Sequence, residues 1–278
     1  MITESQFLEH LQADIRANKI TLPTLPEVAL KVRDAMENDN VTGKEIADII
    51  TTDAALSARL LQVANSPLYA GRVAIESVQM AVTRMGIRMV RQLVVNLAMK
   101  QMFQPTSDAM DKRLRDLWKE SVGVAAIARA LTLQMSHLEP EQALLAGLIH
   151  NIGALPILTL AEGIPEYMND AERLDSLLNN LCPIVGKQIL ESWHFSDSMI
   201  AVPANCYDFS YDGGPQADYV DVVIVARLQT PAVAFANANA DWSQIPAFSK
   251  LGIEPEISVI EIEGVAEEVE AVEELLLI

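Results

Sequence analysis

Apolar residues recur along this chain at intervals of three and four, and Pro, Gly, Asn and Asp cut the recurrences into short runs. That period is the signature of helices with one buried face. Leu22-Pro23-Thr24-Leu25-Pro26 reads as an extended lead-in, because each Pro biases the residue before it away from helix, and a helix is predicted over 27–38. Thr42-Gly43-Lys44-Glu45 has the spacing of a capping box and opens a helix to about residue 51. Asp53 is placed to cap a helix over 54–64, with Leu56, Leu60, Leu61 and Ala64 on one face and Asn65-Ser66-Pro67 as its stop. Ser77 opens 78–85 and Gly86 closes it. The next run, 87–103, is apolar over more than half its circumference and predicts a central buried helix.

Gln104-Pro105-Thr106-Ser107 is the clearest internal break, dividing an N-terminal helical subdomain (1–105) from a C-terminal one (106–278). Helices are predicted beyond it over 108–135, from Pro140 at the first helical position to about 151, and over 166–181, 183–193, 197–207 and 219–238. Pro203 is expected to kink or end the helix that holds it. The polar, Gly-rich stretch 207–218 is long for a connection and is a candidate lid or binding loop. Val259, Ile262, Ala266, Val269, Val272 and Leu276 mark a last amphipathic helix with glutamates outside. No strand pattern emerges, although 259–265 is ambiguous, so the expected fold is all-α.

Composition agrees: half of the 278 residues are hydrophobic and only 5% aromatic, a mix suited to packed helices. Cys182 and Cys206 are too few for a disulfide framework, and no Cys-x-x-Cys occurs. The first 19 residues lack the apolar run of a secretory signal. The apolar stretch 143–161 carries His150, Asn151, Pro156, Thr159 and two glycines, so it reads as helix, turn and helix in a core rather than a membrane span. A cytoplasmic protein is expected. Net charge is −18, with nine Glu and no Lys or Arg after Lys250, which disfavours binding to nucleic acid. The acidity suits solubility or a basic partner.

The chemistry centres on Leu144-Leu145-Ala146-Gly147-Leu148-Ile149-His150-Asn151-Ile152-Gly153. An adjacent His and Asp would aim an imidazole and a carboxylate at one cation, but here the second residue is a neutral amide, a poor ligand for transition metals. Arg84, Arg88 and Arg91 would form a basic strip if one helix ran through Gly86. No phosphate-binding Gly-rich loop, nucleophile elbow or EF-hand loop is present.

An ordered set of residues resembles the HDOD (HD-related output domain) family. It comprises Leu25-Pro26 and Val28; Ile49, Asp53, Leu56, Ser57, Leu60 and Leu61; Ala64-Asn65-Ser66; Ala81-Val82 and Met85-Gly86; Trp118 and Ser121; the 143–153 stretch; and Val185-Gly186, Ile189, Leu190 and Trp193. The resemblance spans about residues 20 to 230 and implies a two-part helical fold, distantly related to HD phosphohydrolases, with a bacterial signalling role. Carried over position by position, the hydrolase ligands fall on Glu120, His150, Asn151, Cys182, Asn205, Cys206 and, for the last Asp, Arg227. Only His150 keeps the ancestral residue. An inward-facing Arg227 about 4 Å from a dication would be repelled by ~8 kcal/mol at an effective dielectric near 20. The resemblance therefore implies a non-catalytic regulatory module, without cofactor, that binds a signalling protein or a small-molecule signal and no nucleic acid or membrane. The alternative is a metal-dependent phosphohydrolase with a degenerate site, in which His150 and Glu120 hold a divalent ion.

Overall fold

The computed structural model describes residues 2–17, 19–35, 41–71, 73–103, 108–230, 233, 241–262 and 264–277, and among these it is helical throughout, with no strand. The N-terminal helices are α1 (Glu4–Arg16), α2 (Glu27–Ala35), α3 (Gly43–Thr51), α4 (Ala54–Ala64), α5 (Val78–Met85) and α6 (Ile87–Met102). Next come α7 (Asp108–Thr132), α8 (Pro140–Ile149), α9 (Ala154–Ala161), α10 (Pro165–Met168), α11 (Ala171–Ser192), α12 (Asp197–Asn205) and α13 (Tyr219–Gln229). The chain ends with α14 (Pro246–Leu251) and α15 (Val265–Leu277). The break placed at 104–107 lies outside the described residues, as does most of the predicted extension of α13 toward 238.

The local signals work as expected. Thr42 and Glu45 form the reciprocal box, and Asp53 and Ser77 accept from the Leu56 and Met80 amides. Each bond satisfies a backbone donor that the first turn of a helix leaves without a partner. Tertiary packing overrides other local signals. Pro183 does not divide two helices: α11 runs through it, with Leu177, Leu181, Cys182, Val185 and Ile189 buried on one face. Pro203 lies inside α12, which ends two residues later. The last amphipathic helix begins at Val265, not Val259, which sits in a 3-10 turn, while Ile262 and Ala266 face solvent.

One continuous apolar core joins the two halves. In α6, Val90 and 93–99 are buried, as predicted for a central helix, and α6 packs against α8. The stretch Pro140–Ala161 is long and apolar enough to cross a membrane, yet 83% of it is buried inside the protein. Its position is set by α7. A Cβ on Gly147 would stand 2.3 Å from the Ala125 Cα and 2.6 Å from the Ala125 nitrogen, so α7 and α8 touch backbone to backbone. A cross-braced ion cluster lies on the same pair of helices. Arg129 of α7 donates to Glu141 of α8 at 2.9 Å and to Glu268 of α15 at 2.6 Å, with its guanidinium 5.6 Å from the Tyr69 ring.

Two measurements test these contacts. Gly147→Ala places a methyl where backbone already stands and is expected to cost at least about 2 kcal/mol in urea unfolding, as overpacked cores do. Gly71→Ala, which meets nothing within 4 Å, should leave the midpoint unchanged. Arg129→Ala leaves the buried Glu141 carboxylate without its cation, and a loss of about 3–5 kcal/mol is expected.

Candidate functional site

Five elements converge beside the α7–α8 crossing. From α7 come Glu120 and Ser121, and from the turn after α8 come His150 and Asn151. Cys182 lies on α11, Asn205, Cys206 and Tyr207 at the end of α12, and Arg227 on α13. The turn 150–153 is drawn tightly onto α11: a Cβ on Gly153 would stand 2.5 Å from the Cys182 carbonyl oxygen and 2.7 Å from the Gly186 nitrogen. Only glycine permits that approach.

The His150 side chain is fully buried. Its Nδ1 lies 2.6 Å from the Gly147 carbonyl oxygen, so the proton on that nitrogen fixes the ring, and Nε2 is directed to Glu120 Oε1 at 3.9 Å, beyond hydrogen-bond reach. Nε2 has no hydrogen-bond partner. Asn151 is not a left-handed C-cap: His194 is the one non-glycine residue with positive φ among the described residues. Asn151 is fully buried, and its Oδ1 instead accepts from the Ser121 hydroxyl at 2.9 Å, while Ser121 also donates to the Leu117 carbonyl. The amide thus ties α8 to α7 rather than facing a ligand.

Arg227, left open between pocket and solvent by the sequence, points inward and is 5% exposed. Its Nη1 donates to the Cys206 carbonyl at 2.5 Å and its guanidinium stacks 3.9 Å over the Tyr207 ring, while Nε is unpartnered. Burial opposes charge on Glu120, but the His150 imidazole and the Arg227 and Arg113 guanidinium groups outweigh it and hold the carboxyl below the usual carboxylate range. Burial pushes the Cys182 thiol up to about 12 and the Cys206 thiol to about 11. Without a metal both are protonated at neutral pH and pack as small apolar groups.

This donor set does not fit the divalent ion that the resemblance to HD phosphohydrolases implies. Among the described residues, no three His, Cys, Asp or Glu side chains stand where they could share an ion. The expected donors are neighbours, but one is an amide engaged elsewhere, two are protonated thiols, and a fixed guanidinium supplies the positive charge. Asn205 turns back to its own helix, its amide donating to the Ala201 carbonyl at 2.8 Å. Tyr207 and Ser121 were missed as site residues. Trp118 and Ser121 had marked the α7 face, but nothing local to Tyr207 signals that Arg227 lies on it.

The basic strip does not form. Gly86, at φ 85° and ψ 154°, breaks α5 from α6. Arg84 donates to the Val73 carbonyl, Arg88 lies 3.6 Å from Glu139, and Arg91 is half-buried beside Arg33 and Arg88. The 207–218 stretch is not built as a lid. The Tyr211 hydroxyl donates to Asp218 at 2.7 Å, and Lys250 clamps Asp212 at 2.8 Å and the buried Asp221 at 3.2 Å. A cavity of about 330 Å3 lies elsewhere, between Pro23 and Pro26, Met102 at the end of α6, and Leu155 and Pro156 on α9.

The comparisons agree with this architecture. The HDOD domain family matches residues 22–209. A crystal structure of a candidate metal-dependent phosphohydrolase from Shewanella amazonensis SB2B is 31% identical, with a TM-score of 0.83 over 98% of this chain and 99% of that one. An HDOD domain protein of unknown function from Geobacter sulfurreducens is 23% identical with a TM-score of 0.68, covering 97% of this chain and 98% of its own. A protein of Treponema pallidum (strain Nichols) is 24% identical over 252 residues, 85% of this chain, and the chain spans 47% of that relative's length. The match covers most of the chain and the residues that build the crossing of α7 and α8: the chain belongs to the HDOD domain family.

Proposed function

We propose that this chain is a non-catalytic signal-transduction module that binds a signalling protein or a small-molecule signal, and that its inherited hydrolase pocket now serves as a structural joint. One observation carries the reading. The guanidinium of Arg227 is buried, stacked on Tyr207 and aimed into the cluster that holds Glu120 and His150. A fixed cation there compensates Glu120 and opposes entry of a second positive charge. The neutral Asn151, hydrogen-bonded to Ser121, leaves the cluster without a second carboxylate. A net charge of −18 favours protein or small-molecule partners over nucleic acid. A signal transduction protein from Marinobacter aquaeolei VT8 shares the fold, with a TM-score of 0.63 at 20% identity, covering 99% of this chain and 66% of that one.

A second reading, a metal-dependent phosphohydrolase, is favoured by the His150 ring. Its Nδ1 contact with the Gly147 carbonyl is the orientation that metal-bound imidazoles use, leaving Nε2 directed at Glu120. The 31% identical Shewanella relative bears that description.

Elemental analysis separates the two. The expected result is less than a tenth of an equivalent of Mn, Fe or Zn in protein purified without chelator, and no Mn2+-dependent hydrolysis of bis-p-nitrophenyl phosphate. A full equivalent that disappears in His150→Ala, together with turnover, establishes the hydrolase instead. The double variant Asn151→Asp with Arg227→Asp, which restores two carboxylates and removes the guanidinium, is expected to gain Mn2+ affinity at least tenfold by calorimetry.

A further inference from the structure

The C-terminal helix packs chiefly on α7, and its fit over the neighbouring α4, α6 and α8 is incomplete. α15 buries Val269, Val272 and Leu276 against a groove formed by α4, α6, α7 and α8, and directs Glu268 to Arg129. Beneath it remains a small cavity of about 10 Å3, lined by Leu93, Leu97, Leu144, Val272, Leu276 and the side chain of Asn96. Asn96 is 1% exposed, and both its amide nitrogen and its amide oxygen lack a hydrogen-bond partner. A buried amide with neither group satisfied is costly, and α15 offers it only apolar side chains. The outer side of this C-terminal segment is also unfinished. Of the seven large hydrophobic residues that are exposed among the described ones, Ile257, Ile260, Ile262 and Leu277 all lie on it or beside it. The remaining outward positions are largely glutamates, and Gly264, at φ 83°, supplies a pivot directly before the helix.

We propose that the groove under α15 is a partner-docking surface, that α15 fills it in cis as a displaceable plug, and that the partner's element is an acidic amphipathic helix. The groove defines what that helix must present. It needs a carboxylate to meet Arg129, an apolar residue immediately after it, and further apolar residues three and seven positions beyond that one, the pattern of Glu268, Val269, Val272 and Leu276. A helix that also offers an amide or hydroxyl toward Asn96 satisfies the group that α15 leaves bare, which gives the competitor its advantage. Glu268 is the point of release. Its side chain is one-third exposed, and Arg129 keeps Glu141 as a buried counter-ion when Glu268 leaves. The inference goes beyond the role assigned to the Arg227 cluster and holds whether or not that cluster turns over a substrate.

The test uses the full chain with Glu268→Gln and Glu268→Lys, followed by hydrogen exchange, and a fluorescein-labelled peptide of residues 264–277 as the helix in trans. In both variants α15 amides are expected to exchange at least tenfold faster than in the parent while α8 amides stay protected, and the peptide is expected to bind the variants at least tenfold more tightly than the parent. Asn96→Leu, which removes the unpaired amide and fills the cavity, is expected to slow α15 exchange. If α15 exchanges in step with α8 in the parent and in Glu268→Gln, the helix is an integral part of the core and the proposal fails. It fails equally if α15 opens in Glu268→Gln and the peptide does not bind. Should Glu268→Lys unfold the whole chain, the Gln variant decides.

Discussion

The contact of α7 and α8 at Gly147 is the constraint on which the rest of the architecture depends. Because the Ala125 backbone occupies the space of any side chain at 147, the two helices share a fixed depth and register. Glu120 and Ser121 are thereby set opposite His150 and Asn151, one turn beyond the crossing. The Gly153 contact with α11 repeats the device and brings Cys182 to the same place. These close approaches need no polar group, so the framework of the cluster does not depend on a bound ion.

The charges that this framework brings together are balanced within the chain. A half-buried carboxylate beside a fully buried imidazole is favoured by a nearby compensating charge. Arg227 supplies the charge from α13, held by the Cys206 carbonyl and the Tyr207 face. Asn151 hydrogen-bonds to Ser121 in place of coordinating, and both thiols remain protonated. Asn151 and Arg227 thus act as ties between neighbouring helices. A second compensated charge, Arg129 between Glu141 and Glu268, binds α7, α8 and α15 in the same way, but there one partner sits near solvent.

Capping signals were accurate where the deciding interaction lies within one turn. The Thr42 box, the caps at Asp53 and Ser77, and the buried run in α6 involve residues no more than four apart, and all are present in the fold. Pro183 misled because the apolar face of α11 is held by neighbours far away in the chain, and that burial outweighs one missing backbone bond, whereas α12 ends two residues after Pro203. The glutamates of α15 were expected to face outward, and Glu268 does not, since its attraction is Arg129, 139 residues earlier.

By itself the sequence determined the helical class, most helix starts and the family, because those depend on side-chain type and short-range spacing. Only the tertiary structure decided which way Arg227 points, that Asn151 is spent on Ser121, that Tyr207 and Ser121 belong to the cluster, and that Asn96 lies unpaired beneath α15. The reason is physical. The direction of a long side chain and the satisfaction of a buried amide are settled by what neighbouring helices bring to it, and no pattern within one helix encodes its neighbours.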